Sequence, residues 1–193
     1  TGSPDSTSGW WYFYDDSDDG GKSNITVPAD IETIESPDFI GAMAKVYGVI
    51  KATVKLNDGY EYPYAGLGFN VWNEQKEGAD ISAWGGFCLE YQSTITFRIE
   101  LVPENEEEVT ESNNYHATVA KAASMTTTNY RWDKFKQEKE WGKEANLDSV
   151  LAKTASIKLA FQGLPETKGD FLIYMVGSYG MCSCCGPMPD RIG

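Results

Sequence analysis

The sequence predicts an all-β fold, an antiparallel β-sandwich of the jelly-roll type, and three observations favour it. Apolar and polar residues alternate with a period of two in most segments from residue 10 to residue 177. Turn-forming residues separate these segments, so that about ten short strands result. Residues 147–153, which follow the capping residue Asn146, are the best helix candidate.

The other strands are arranged around the stretch from Ala79 to Glu100, which predicts two antiparallel strands joined by a turn at residues 92–94. In the first of these strands, two sets of side chains alternate, namely Phe87, Leu89 and Tyr91 with Cys88, Glu90 and Gln92. The second strand continues the pattern from Ile95 to Leu101. The alternation predicts a hairpin with one face toward the core and the other toward solvent.

The first half of the chain begins with residues 1–9, which predict a loose arm whose Thr-Gly-Ser start resembles a cloning remnant. Five aromatic residues in succession, Trp10 to Tyr14, then predict a strand with large rings on both faces. Residues 41–56 alternate and predict one long strand, or two strands with a bend at Gly48. A helix over residues 39–47 is the alternative.

In the second half, an acidic loop at residues 103–114 separates further alternating segments. Strands are predicted at residues 115–123, 126–132, 156–162 and 170–177. We therefore expect a single β-sandwich domain at residues 10–181 and a cysteine-rich tail at residues 182–193.

Composition restricts the classes of partner. The chain has 193 residues, which suits one domain with a sizeable core, and it carries a formal net charge of −13. Nucleic acid and anionic membranes are poor partners because they need a cationic face, whereas a neutral ligand or a cation is compatible. No apolar run reaches the roughly 18 residues of a membrane span, and no signal peptide is evident. We expect a mature or trimmed, monomeric chain.

The four cysteines are Cys88, Cys182, Cys184 and Cys185, and their spacing matches no paired C-x-x-C zinc pattern. Disulfides are the better interpretation, and they imply an oxidising compartment. A bridge between the adjacent Cys184 and Cys185 would be strained, which favours Cys88 with Cys182. Four cysteines allow three connectivities, and all three stay open from the sequence.

Several motifs, in this order, resemble the jelly-roll carbohydrate-binding modules attached to secreted bacterial glycoside hydrolases of fibre-degrading species. The motifs cover most of the chain and are GWWYFYDDSDDGG (9–21), DISAWGGFCLEY (80–91), WDKFKQ (132–137), SIKLAFQG (156–163) and GDFLIYMVG (169–177). The resemblance implies a sandwich whose concave sheet binds a glucan or xylan chain without catalysis. It also implies a secreted or cell-surface location and, often, a structural calcium ion.

Aromatic side chains are the first candidates for such a site, because a sugar ring stacks its C–H face on an aromatic ring while polar groups take its hydroxyls. The candidate platforms are Tyr60, Tyr62, Tyr64, Trp72 and Trp84, with Trp10 as a further one. The candidate polar partners are Asn70, Glu90, Gln92 and Arg98, with Asn73 as a further one. Core packing is the alternative role of each ring, and plain solvent exposure is the alternative for each polar group.

The acidic run after the aromatic strand is the candidate calcium site, because calcium takes several oxygen ligands and tolerates irregular loops. Its predicted ligands are Asp16, Asp18, Asp19 and Asp170. The resemblance places such a metal near the ends of the first and last strands. The alternative is a solvated acidic turn.

Two other classes of function stay open beside a binding module for plant cell-wall polysaccharide. A small jelly-roll glycoside hydrolase would need two facing carboxylates, for which Glu61, Glu90 and Glu100 are the candidates. A surface adhesion or scaffold domain would need no sugar cleft. The binding module is the prediction we adopt, with cellulose, mixed-linkage glucan, xylan and mannan all open as ligands.

Overall fold

The computed structural model describes residues 9–32 and 39–183. Within these residues it contains ten strands, which are β1 (Trp11–Asp15), β2 (Asn24–Thr26), β3 (Ile50–Lys55), β4 (Tyr64–Asn70), β5 (Gly86–Ser93), β6 (Phe97–Pro103), β7 (Tyr115–Val119), β8 (Ala122–Arg131), β9 (Thr154–Gln162) and β10 (Lys168–Ser178). The α-helices among these residues are α1 (Ala29–Glu32), α2 (Phe39–Tyr47), α3 (Glu106–Val109) and α4 (Leu147–Ala152). The expected arm and most of the expected cysteine-rich tail lie outside the described residues.

The strands form two five-stranded sheets. The first sheet has the order β1-β4-β9-β6-β7, and the second has the order β2-β3-β10-β5-β8. Every strand pair in both sheets is antiparallel. The predicted antiparallel β-sandwich is therefore confirmed.

The core lies between the two sheets, and alternate residues of each strand supply it. Phe97 and Phe161 of the first sheet pack with ring centroids 5.1 Å apart, and Phe161 meets Phe171 of the second sheet at 4.8 Å. All three rings are almost completely buried. Burial of aromatic rings of this size supplies a large share of the hydrophobic stabilisation of the sandwich.

The hairpin predicted within residues 79–100 is wrong, because its two strands belong to different sheets. β5 pairs with β8 and β10, whereas β6 pairs with β7 and β9. The short connection between them carries the chain across the core, where Tyr91 and Phe97 pack at 5.5 Å. Both strands keep the predicted alternation, since each turns its apolar side toward the same core.

The long strand predicted over residues 41–56 is also wrong in its first half. Helix α2 occupies Phe39–Tyr47, and Gly48 then takes the left-handed conformation at φ 71° before β3 begins at Ile50. Ile40 and Met43 are buried, one turn apart on the same side of the helix. In contrast, the predicted helix after Asn146 is confirmed, and the Asn146 side chain accepts a hydrogen bond from the Ser149 N–H at 3.1 Å.

The predicted disulfide between Cys88 and Cys182 is confirmed. Cys88 points away from the core on the outer side of β5, and the short helical turn Met181–Ser183 covers it. The bond therefore fastens the end of the described chain to the middle of the second sheet. None of the helices in the described part of the chain is long and apolar enough to span a membrane.

Candidate functional site

The outer face of the first sheet has an aromatic floor built by β1 and β4. Trp11 and Phe13 of β1 pack against the core, so the intervening Tyr12 and Tyr14 lie on the outer face. The register places Tyr12 opposite Gly68 and Tyr14 opposite Gly66. A Cβ at either glycine would lie 2.5–2.6 Å from the ring or hydroxyl atoms of the opposing tyrosine, so each ring lies across a glycine.

Charged side chains from β9 and β6 continue this floor. Lys158 places its Nζ 5.1 Å from the centroid of the Tyr14 ring and 3.8 Å from Glu106 Oε2. Glu100 lies directly opposite Lys158 in the β6–β9 register. Beside them, the hydroxyls of Tyr12 and Ser156 are hydrogen-bonded at 2.5 Å. The floor thus offers charged and hydroxyl groups next to aromatic rings.

The ionisable groups of the floor are partly buried. Burial raises the pKa of Glu100, although Lys158 and Arg98 act in the opposite direction. Burial also raises the pKa of Tyr14 well above its ordinary value. In the part of the chain that the structure describes, the buried Tyr14 hydroxyl has no hydrogen-bond partner. This hydroxyl lies against Gly66 and below the surface, so the accessible part of Tyr14 is its ring and not its hydroxyl.

The aromatic surface extends beyond the floor as a continuous series of rings. Neighbouring ring centroids lie 6.0–6.3 Å apart along the series Tyr12, Tyr14, Tyr64, Tyr60, Tyr62 and Trp141. We call these six rings, together with Lys158, Arg98 and Glu100, the tyrosine face. Tyr62 and Trp141, at the end of the series, are exposed.

The far side of the tyrosine face is bounded by a segment that follows β8. His116 of β7 forms an isolated bridge with Lys136, which adds this segment beside the edge strand. Glu138 Oε1 then lies 2.8 Å from Arg98 Nη2 and 3.6 Å from His116 Nε2. Burial lowers the pKa of His116, and Arg98 lowers it further. The Arg98–Glu138 pair fixes the position of this boundary.

The predicted ligand-binding residues are divided between different surfaces. Tyr60, Tyr62, Tyr64 and Arg98 belong to the tyrosine face, and Asn70 lies at its edge, opposite Ser156 in the β4–β9 register. The other predicted residues lie elsewhere. Glu90 and Gln92 are on the outer side of β5 in the second sheet, Trp72 is in the loop after β4, and Trp84 packs against the core.

Sequence reasoning missed several components of the tyrosine face. Tyr12 and Tyr14 were assigned to a strand with rings on both faces, without a role in binding. Alternation of glycine with apolar residues on β4 was a usable signal, because glycine in a strand indicates close approach of another group. Lys158 and Trp141 carry no comparable signal in the sequence.

The carboxylate of Asp16 is held by hydrogen bonds from the protein itself. Its side chain is fully buried. It accepts hydrogen bonds from Ser23 N at 2.9 Å, Ser23 Oγ at 2.7 Å and Tyr64 N at 3.2 Å. These donors occupy both carboxylate oxygens, so Asp16 ties the acidic turn to the start of β4.

The other three predicted calcium ligands are not brought together with Asp16. Asp18 is exposed, and Asp19 accepts a hydrogen bond from the Tyr64 hydroxyl at 2.8 Å. Asp170 is on β10 of the second sheet, where it accepts from Thr53 Oγ1 at 2.6 Å. In residues 9–32 and 39–183, no group of three or more His, Cys, Asp or Glu side chains is arranged to hold a metal ion. The four aspartates therefore do not fit a common calcium site.

A separate apolar pocket lies beside α2 and β10. Its lining includes Trp11, Ile40, Ile50 and Ile173. Apolar groups dominate this lining, whereas sugar recognition needs several polar groups in fixed positions. The tyrosine face is therefore the better candidate for a glycan.

The fold and the tyrosine face together define a β-sandwich with an aromatic, polar surface on one sheet. Among solved structures, the chain is similar to the family 11 carbohydrate-binding module of the cellulosomal cellulase Lic26A-Cel5E of Clostridium thermocellum, with a TM-score of 0.52 and 12% identity over 87% of this chain and 84% of that one. It is also similar to a family 11 module from the same species in complex with a β-1,3-1,4-mixed-linked tetrasaccharide, with a TM-score of 0.50 and 12% identity over 87% and 85% of the two chains.

These similarities show that the chain has the fold of family 11 carbohydrate-binding modules, which confirms the jelly-roll fold that the sequence motifs implied. A scan of family models found no match to the sequence, and a search of curated proteins also found none.

Proposed function

We propose that the chain is a non-catalytic carbohydrate-binding module that binds a plant cell-wall polysaccharide on the tyrosine face. The observation that carries this proposal is the continuous series of six aromatic rings beside charged and hydroxyl groups on one sheet. Aromatic rings can stack on the C–H faces of sugar residues, and the adjacent polar groups can form hydrogen bonds with the sugar hydroxyls. The fold is shared with known carbohydrate-binding modules, which adds support.

The charges of the tyrosine face favour a neutral polysaccharide. Lys158 and Arg98 are each next to a carboxylate, namely Glu106 and Glu138. A ligand with its own charge would have to compete with these pairs, whereas sugar hydroxyls can donate to the carboxylates and accept from the cations. The net charge of −13 does not oppose a neutral chain. We propose β-glucan, cellulose or xylan as the ligand class.

The positions of the carboxylates support a function without catalysis. Glycoside hydrolysis needs two carboxyl groups on either side of one bond. The candidates Glu90 and Glu100 lie on the outer sides of different sheets, and Glu61 is exposed in the loop before β4. Glu90 therefore cannot form the required pair with Glu100, because the two side chains lie on opposite outer surfaces of the sandwich. A role in targeting an attached glycoside hydrolase outside the cell agrees with this and with the disulfide.

The experiment is affinity gel electrophoresis against mixed-linkage β-glucan, hydroxyethylcellulose, xylan and galactomannan, with reducing-sugar release assayed in parallel. We expect retardation by β-glucan, hydroxyethylcellulose or xylan without release of sugar. Gln162 of β9 lies opposite Tyr64 and donates a hydrogen bond from Nε2 to Glu100 Oε1 at 3.5 Å, so it lies beside the tyrosine face. The double variant Tyr60→Ala/Gln162→Ala should lower the affinity by roughly 3- to 10-fold, the value of one lost aromatic contact. The matched control, Glu90→Ala/Gln92→Ala, changes the outer face of the second sheet and should bind normally.

Each other result has a distinct meaning. Release of reducing sugar would show that the chain is an enzyme and not a non-catalytic binding module. Loss of binding in the control but not in the Tyr60→Ala/Gln162→Ala variant would move the site to the second sheet. No retardation by any of the four polysaccharides would refute carbohydrate binding of this class.

A further inference from the structure

Two exposed aromatic residues from different parts of the fold meet at the end of the tyrosine face. Tyr62 comes from the loop that leads into β4, and Trp141 comes from the segment that follows β8. Their ring centroids lie 6.2 Å apart with the planes at 69°, an edge-to-face arrangement. Their exposed fractions are 59% and 50%, which is high for rings that contact each other. Their contact is not part of the core.

The segment that carries Trp141 is anchored near β7, at the edge of the first sheet, and not near Tyr62. The buried Asn113, just before β7, donates from Nδ2 to the carbonyl oxygens of Glu138 at 3.1 Å and Trp141 at 2.5 Å. Lys143 N donates to Thr110 O at 2.9 Å. The main chain around Trp141 is therefore held beside the start of β7, and its ring reaches from there toward β4.

The contacts on both sides show which parts of the first sheet this pair connects. On one side, Tyr62 contacts Tyr60, which contacts Tyr64 at the start of β4. On the other side, Glu138 contacts Arg98 and His116, on the outer faces of β6 and β7. Residues 138–141 thus extend from the β6–β7 side of the first sheet to the start of β4.

We propose that Tyr62 and Trp141 form an aromatic bridge that closes over a glycan chain bound on the tyrosine face. This inference rests on the proposed function. The interior of a long polysaccharide reaches the floor only when the two rings separate, since neither of its ends is near. Once the chain is in place, the rings return and slow its release. The aromatic bridge is therefore a gate for both association and dissociation.

Kinetics of binding test the gate directly. Biotinylated mixed-linkage β-glucan and arabinoxylan are placed on separate sensors, and the binding of the wild-type chain is compared with that of Trp141→Ala, Tyr62→Ala and the double variant. We expect both the association and the dissociation rate constants to rise, the latter by roughly 3- to 10-fold, for each single variant. The double variant should behave like the single ones, because each substitution already opens the bridge.

Two control variants separate the bridge from general effects. Trp141→Phe keeps an aromatic ring and should restore most of the slow dissociation. Tyr179→Ala removes a similarly exposed ring, 46% exposed, from the region after β10 and should leave both rate constants unchanged. Thermal unfolding of each variant checks that the fold is retained.

The outcomes distinguish the two proposals. Binding by the wild type with unchanged rate constants in Trp141→Ala and Tyr62→Ala would overturn the aromatic bridge and leave the proposed function intact. A slower association in these variants would also overturn the gate, because it would show that the two rings assist the initial binding of the polysaccharide. Absence of wild-type binding to both polysaccharides and to a third sensor with hydroxyethylcellulose would overturn the proposed function and the bridge together.

Discussion

Replacement of Asp16 by alanine should destabilise the fold strongly without any involvement of a metal ion. Asp16 is fully buried, and its carboxylate accepts three hydrogen bonds from Ser23 and Tyr64. Two of the three donors are main-chain N–H groups, which remain in place when the side chain is removed. The variant therefore leaves buried donors unsatisfied in addition to losing the carboxylate.

The size of the expected decrease in the free energy of unfolding follows from these three hydrogen bonds. A hydrogen bond to a charged group contributes about 1.5–3 kcal/mol, and the 3.2 Å contact to Tyr64 N is the weakest of the three. The Ser23 hydroxyl can turn toward another acceptor, which reduces the loss. We expect a decrease of about 3–5 kcal/mol in the free energy of unfolding. At about 2–4 °C per kcal/mol for a chain of this size, the melting temperature should fall by roughly 6–20 °C.

Chemical denaturation and differential scanning calorimetry measure both quantities. Asp18→Ala is the matched control, since Asp18 belongs to the same acidic run but is exposed, and its change should stay within about 0.5 kcal/mol. EDTA should leave the melting temperature of the wild type unchanged. A fall on addition of EDTA that calcium reverses, and that Asp16→Ala abolishes, would refute this reasoning and make Asp16 a metal ligand.

Three further predictions concern the rest of the fold. Replacement of Cys88 and Cys182 by alanine removes the link between two positions 94 residues apart and should lower the free energy of unfolding in urea by about 2–5 kcal/mol. A decrease below about 0.5 kcal/mol would contradict a stabilising role of the disulfide. The pKa of His116 is lowered in the folded chain, so the unfolded chain binds the proton more tightly, and the contribution of His116 to stability is present above the ordinary pKa of 6.5 and is lost as the pH falls through the folded pKa. The variant His116→Asn should flatten that part of the curve of unfolding free energy against pH. An unchanged curve would exclude His116 as the cause. Gly66→Ala places a Cβ 2.4 Å from a carbonyl oxygen of β9 and should lower the free energy of unfolding by about 1–3 kcal/mol, as measured by thermal unfolding. In the control Gly163→Ala, the nearest atom to the new Cβ would be 3.4 Å away, so the decrease should be clearly smaller. Equal decreases would contradict the packing argument.

The strands of the sandwich were largely predictable because burial on one side imposes a period of two. In β9, Ile157, Leu159 and Phe161 alternate with polar or small residues, and all three are completely buried. Such a pattern has no competing interpretation when it lasts for several residues. The fold class therefore follows from local patterns alone.

The assignment of strands to sheets was not predictable from the same pattern. β5 and β6 show the alternation of a hairpin, and a chain that crosses from one sheet to the other shows the same alternation, since both strands face one core. Helix α2 illustrates a second ambiguity. Ile40 and Met43 fit a helical spacing, but the small apolar residues around them also fit the alternation of a strand. Only the packing of α2 beside β3 decides between a helix and a strand.

The tyrosine face depends on two alternating patterns that are far apart in the sequence. Tyr12 and Tyr14 alternate on β1, Gly66 and Gly68 alternate on β4, and the antiparallel register sets each tyrosine opposite a glycine. Taken alone, the tyrosines resemble core residues and the glycines resemble weak points of a strand. Taken together, they form a floor on which the rings lie across the neighbouring strand, because glycine has no Cβ to hold them off. The pairing of β1 with β4, which no local pattern encodes, is therefore what turns four unremarkable positions into a surface suited to stacking.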